Sequence, residues 1–215
     1  MTTQTGESIE INKGISQSHY DLRKLFHSEH KNIVYSGALG EKQNPFALIQ
    51  LFQNLIDANP SIRCHIFSEG PLMEKLKITV DNNYKDKLSF HDLAPEEALN
   101  DLYSCSDMQI IPHVLGASDA AFPSKVPNLL QAGVPIVAIC DTDSELDTII
   151  KQSGCGLSIN TWSSDILVKK ILEYLVETSS QSHSQRRIHA QSFIEKHFTL
   201  NSLVDTILKS LHEES

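Results

Sequence analysis

Two lysines in this chain stand where a lysine can neutralise a bound anion. Lys42 closes the run Gly37-Ala38-Leu39-Gly40-Glu41-Lys42, and Lys125 follows Phe122-Pro123-Ser124 at what reads as a helix start. A glycine-containing loop between a strand and a helix can curl backbone N–H groups around a phosphate, and a lysine at its end adds a full charge. Ser124 reads as an N-cap, with Pro127 tolerated because the first helical turn loses no intrahelical donor. Gly133 ends that helix, and Pro135 opens an apolar β-branched run suited to a buried parallel strand. The chemistry these residues could do together is to grip a diphosphate from two sides.

Other chemistries find less support. The Gly37–Lys42 loop is neither G-x-x-x-x-G-K-[ST] nor G-x-G-x-x-G. The stretch Pro112 to Pro123 holds Gly116-Ala117-Ser118-Asp119-Ala120-Ala121, small residues that allow close backbone approach to a ligand or make a plain loop. Ten histidines are present, without H-E-x-x-H or a converging carboxylate, so no metal site is expected. His91 and His113 differ from the rest, because both fall at strand carboxyl ends where either could touch a base or a sugar. There is no G-x-S-x-G, and no cysteine shares a strand-end loop with a histidine. Arg186 and Arg187 fall in a polar helical stretch that reads as a solvated packing hairpin.

The elements needed to position these groups recur as strand, loop and helix. Strands are expected at Asn32–Ser36, Ile62–Phe67, Leu88–Phe90, Met108–Ile111, Ile136–Ile139 and Gly156–Ile159. Helices are expected after Asn44-Pro45, from Pro95, from Ser124, from Ser144 and from about Asp165 to Leu211 with a polar break at 179–184. A short helix within 14–31 precedes the first strand. This alternation predicts an α/β fold: a Rossmann-like parallel sheet of about six strands with helices on both faces. Ligands bind such sheets beyond the strand carboxyl ends, where strand order reverses. Residues 1–13 are polar and patternless and read as a flexible leader; 14–215 read as one nucleotide-sugar-binding domain.

Composition bounds the rest. A chain of 215 residues, 40% hydrophobic and 21% charged, has material for a full core. A net charge of −9 argues against non-specific binding to nucleic acid or anionic lipid. Cys64, Cys105, Cys140 and Cys155 never form a C-x-x-C pair and read as free thiols in a reducing cytoplasm. No secretory h-region and no apolar run of about 18 residues is seen.

Three stretches together resemble the C-terminal, donor-binding half of retaining family-4 glycosyltransferases of the GT-B fold, in the exopolysaccharide and colanic-acid branch. They are Tyr35 to Gln43, Phe67 to Pro71, and Phe122 to Lys125 with Asn128-Leu129-Leu130-Gln131-Ala132-Gly133-Val134-Pro135. The resemblance runs from about Asn12 to the C-terminus. It implies a donor set of Gly37, Leu39, Gly40, Lys42, Gly70, His91, Ser118, Phe122, Ser124, Lys125 and Asn128, with Lys42 and Lys125 catalytic through neutralising the leaving diphosphate. It implies a UDP- or GDP-linked sugar as substrate, no cofactor, and no metal in the scheme. The partner implied is an acceptor-binding domain or subunit, which would also supply any membrane contact. Two departures from the family pattern are visible. Ala38 stands where an arginine is common, and Ala120 and Asn128 stand where a pair of glutamates is common. The runner-up is a catalytically silent nucleotide-binding or scaffolding subunit; a nucleotide-sugar epimerase ranks third, lacking an acid/base pair at the strand ends.

Overall fold

The computed structural model describes residues 22–116, 123–179 and 183–197. In chain order these form α1 (Leu22–Leu25), β1 (Lys31–Ser36), α2 (Pro45–Ala58), β2 (Ile62–Phe67), α3 (Leu72–Thr79), β3 (Leu88–His91), α4 (Leu99–Cys105), β4 (Met108–Pro112), α5 (Val126–Ala132), β5 (Ile136–Ile139), α6 (Glu145–Ser153), β6 (Gly156–Ile159), α7 (Ser164–Ser179) and α8 (His183–His197). All six strands pair parallel in the order β3-β2-β1-β4-β5-β6. The expected α/β sheet is therefore observed, every strand within a residue of its expected bounds.

Alternation along the strands divides the core. Ile33 and Tyr35 of β1 join Leu48, Phe52 and Leu55 of α2, Leu76 of α3 and Ile171 of α7 on one face. Val34 joins Leu102 of α4, Leu129 and Leu130 of α5, Ile150 of α6 and Ala190 of α8 on the other. Strand order reverses between β1 and β4. There the register covers only Ile33↔Met108 and Val34↔Gln109, whereas β1 pairs with β2 along six residues. The carboxyl ends of β1 and β4 are thus free to part and admit a ligand.

Three local expectations change. The helix expected to open at Ser124 begins at Val126, with Lys125 as N-cap and no side-chain cap. The reason is a turn closed by the Val126 N–H on the Pro123 carbonyl at 3.0 Å, which already gives Ser124 and Lys125 a bend. α3 went unforeseen, because only Met73 and Leu76 of its eight residues are buried and its N-cap, Pro71, offers no side-chain acceptor. Arg186 is buried at 7% exposure, not solvated: it donates to the carbonyls of Gly133 (3.0 Å) and Thr178 (2.9 Å), tying α8 to the end of α5. Arg187 is exposed, as expected.

β6 fits against β5 through a glycine. A Cβ at Gly156 would meet the Ile136 carbonyl oxygen and Ile150 Cγ2, each at 2.9 Å. Gly156→Ala must push backbone, and overpacking of this kind costs about 1–3 kcal/mol. Chemical denaturation should show the midpoint lowered by that amount; an unchanged midpoint would mean the β5–β6 spacing is looser than described.

Candidate functional site

The parted ends of β1 and β4 enclose a cavity of about 320 Å³. Its walls are Tyr35 to Ala38 and Gln43 from the β1 loop, Ile111 to His113 from β4, Leu93, Ala94, Leu99 and Tyr103 around α4, and Pro123 to Lys125 before α5. One side is apolar, from α4 and its preceding loop; the other carries a cation. That division suits a ligand with an anionic group and an uncharged body.

Lys125 supplies the cation. Helical backbone angles at Lys125 (φ −76, ψ −18) fix where the side chain leaves the turn. The chain then folds back across the end of β1. Its ammonium donates to the Ser36 carbonyl at 2.8 Å and lies 4.5 Å above the centre of the Tyr35 ring. Burial pulls its pKa from 10.5 down to about 7. Tyr35 is itself held by donating its hydroxyl to the Ala38 carbonyl at 2.6 Å, and burial pushes its pKa up.

Gly37 sets the backbone beside this arrangement. Its φ of +131 is a conformation side-chain-bearing residues rarely adopt, and a Cβ there would stand 3.9 Å from the Lys125 ammonium. Its N–H donates to the Phe67 carbonyl at 2.9 Å, so the β1 loop leaves the sheet at a set angle. Gln43 closes the loop from the far side, accepting from the Gly40 N–H at 2.9 Å.

The remaining donor residues expected from sequence divide clearly. Ser124 lines the cavity and is exposed. Lys42 is exposed and lies outside the cavity wall, although its carbonyl accepts from the Val114 N–H at 2.9 Å, so it stays on the same rim. Leu39 is buried in the core beneath the loop. Gly70 bends the chain into α3 with φ +113 and is not part of the wall. Asn128 is exposed on α5 and also outside the wall. Ser118 and Phe122, like Ala120, lie outside the described residues.

His91 stands apart from the cavity. Its ring stacks on Phe67 at 4.5 Å, and Ser89 Oγ lies 2.9 Å from its Nε2 and 2.8 Å from His65 Nδ1. His65 in turn meets Asn32 Oδ1 at 3.3 Å. Burial, then the neighbouring His91, holds the His65 pKa down to about 3, so this group of side chains is a neutral hydrogen-bonded network within the α1 face of the sheet. His113 is the histidine that reaches the cavity. The apolar contribution of α4 to the cavity, from Leu99 and Tyr103, was not among the residues expected from the sequence.

The α5 start is poorer in free donors than a helix N-terminus usually is. Val126 N–H is engaged by Pro123 and Pro127 has none. With only seven residues in α5, the positive end of the site is mainly the Lys125 charge itself.

Comparison with known proteins gives the family and the fold. The chain belongs to the family described as glycosyl transferases group 1, which matches residues 20–191. It is 26% identical over 178 residues to WcaI of Escherichia coli (strain K12), a protein assigned to colanic acid biosynthesis as a glycosyl transferase. The match covers 82% of this chain and 43% of WcaI, so the chain spans less than half the length of that relative. Its fold is shared with Staphylococcus aureus TarM, solved in complex with fondaparinux, α-GlcNAc-glycerol and UDP (TM-score 0.65, 16% identity, 84% of this chain and 35% of TarM). It is also shared with the C-terminal domain of a glycosyl transferase group 1 family protein, LpcC, from Francisella tularensis (TM-score 0.59, 13% identity, 79% of this chain and 87% of that domain). The architecture is the Rossmann-like one of GT-B glycosyltransferases. No helix among the described residues is long and apolar enough to cross a membrane.

Proposed function

We propose that this chain is the donor-binding half of a retaining glycosyltransferase that moves a sugar from a nucleoside diphosphate to a glycan or lipid-linked acceptor. The carrying observation is the Lys125 ammonium, held by Ser36 and Tyr35 at the point where strand order reverses. In this reading the diphosphate lies against Lys125, the Gly37–Ala38 backbone and Ser124, and the uncharged part of the donor takes the apolar side toward Leu93 and Leu99. As the glycosidic bond to the leaving phosphate breaks, negative charge grows on that phosphate, and a fixed ammonium in a low-dielectric cavity stabilises it. The acceptor would come from a second domain or subunit facing this edge, which would also set any membrane contact.

A thermal-shift panel of UDP, GDP, ADP and their sugars tests the reading. A nucleotide at 100 times its Kd adds about 2.7 kcal/mol to the stability of the folded state. At least one nucleoside diphosphate should raise the midpoint. A panel that leaves it unmoved would favour a scaffolding subunit, which the Asn128 and Ala120 departures would suit.

Lys42 provides a second check. Exposed on the rim, it can add only a screened contact of about 0.2–1 kcal/mol. Lys42→Ala should therefore weaken nucleotide binding by no more than about 5-fold. A calorimetric loss beyond tenfold would move the diphosphate from Lys125 toward the turn at Lys42.

A further inference from the structure

The cavity contains one more polar side chain for which the fold itself provides no partner. The main-chain groups of His113 are engaged: its N–H donates to the Ile139 carbonyl at 2.8 Å, and its carbonyl accepts from the Trp162 indole N–H at 2.9 Å. The next residue, Val114, is tied to the Lys42 carbonyl. Position 113 is thus fixed from β5, from the segment after β6 and from the β1 loop. His113 lines the cavity, and among the described residues its ring nitrogens, which stay open to solvent, have no hydrogen-bond partner.

We infer that the His113 imidazole hydrogen-bonds the distal phosphate of a bound diphosphate beside Lys125, an inference that rests on the cavity being the nucleotide-sugar site. Lys125, just before α5, and His113, just after β4, both line the cavity, so an anion bound there can meet a charge and an imidazole N–H. The charged groups that act on the ring are Lys125 and Asp141, the latter after β5 with both carboxylate oxygens accepting the Gly116 N–H at 2.8 and 2.9 Å. Burial, and then Lys125, keep the ring below its ordinary pKa, while Asp141 opposes them, so the free site presents a neutral imidazole at neutral pH. A neutral ring beside a lysine is an asymmetric pair: the ammonium attracts the anion, and the imidazole N–H sets its orientation. His91, equally a strand-end histidine in sequence, cannot share this role because its Nε2 faces Ser89 within the sheet.

Calorimetry with paired probes separates the possibilities: UDP, GDP and ADP against their monophosphates, and inorganic pyrophosphate against orthophosphate. His113→Ala should weaken diphosphate and pyrophosphate binding by about 2- to 13-fold, the range of a neutral hydrogen bond, and change monophosphate binding less than 2-fold. His113→Gln, which keeps an N–H donor, should recover part of the loss, and melting curves should show both variants folded because the main-chain ties do not involve the ring. Equal losses for mono- and diphosphates, or none, would overturn the inference. If Lys125→Ala weakens pyrophosphate while His113→Ala does not, the inference alone falls. If the folded wild type binds neither pyrophosphate nor any nucleoside diphosphate, the reading of the cavity falls with it.

Discussion

Lys125→Ala is expected to weaken binding of the preferred nucleoside diphosphate by about 10- to 150-fold, the worth of one charge-assisted contact of about 1.5–3 kcal/mol. The side chain is anchored before ligand arrives, by Ser36 and by the Tyr35 ring, so little rotamer freedom remains to be lost on binding. The same substitution should remove a proton linkage. With its pKa lowered to about 7 by burial, Lys125 is mostly neutral at pH 8 in the free protein. A diphosphate restores the charge, so binding at pH 8 should take up close to one proton. Affinity should fall by up to tenfold per pH unit above pH 7. Calorimetry at pH 8 in buffers of different ionisation enthalpy measures the uptake directly. Uptake that persists in Lys125→Ala would place the titrating group elsewhere. The linkage also acts on folding. Unfolded lysine holds its proton to about 10.5, whereas the folded group releases it near 7, so the unfolded state binds more protons in between. This group therefore makes the ligand-free protein more stable as pH rises through that window.

Arg186→Met should be the most destabilising single change on α8. Arg186 is buried, and its guanidinium donates to two carbonyls, Gly133 at the C-cap of α5 and Thr178 near the end of α7. Methionine keeps much of the volume but leaves both acceptors without those donors, at an expected cost of about 2–4 kcal/mol. For a chain of this size that lowers the melting midpoint by roughly 5–15 °C. The effect should reach the cavity, because α5 begins where the Lys125 turn ends. Nucleotide affinity in Arg186→Met, measured well below its midpoint, should fall along with stability. A variant that melts at the wild-type temperature would show that α5 is held by its apolar contacts alone.

The fold was largely legible because parallel strands covered on both faces read as continuous apolar runs, and Ile136–Ile139 is such a run. The two cationic loops were legible for a similar local reason: a strand, a glycine-bearing turn and a lysine within a few residues. What could not be read was which lysine turns inward. That depends on the Ser36 carbonyl and the Tyr35 ring, some ninety positions from Lys125, and no local pattern encodes the meeting. The exchange of His91 for His113 has the same origin. Both fall at a strand's carboxyl end, but His91 ends the edge strand β3 and faces Ser89 and His65, while His113 follows β4 at the reversal of strand order. Arg186 looked solvated because α8 has no apolar stripe; its burial is set by the two carbonyls it meets from α5 and α7.

The most direct measurement is a crystal structure of the chain with its best-stabilising nucleoside diphosphate bound. The account predicts phosphate oxygens within about 3 Å of the Lys125 ammonium, between the ends of β1 and β4. A diphosphate bound anywhere else on the molecule, with Lys125 still resting on Ser36 alone, would contradict it.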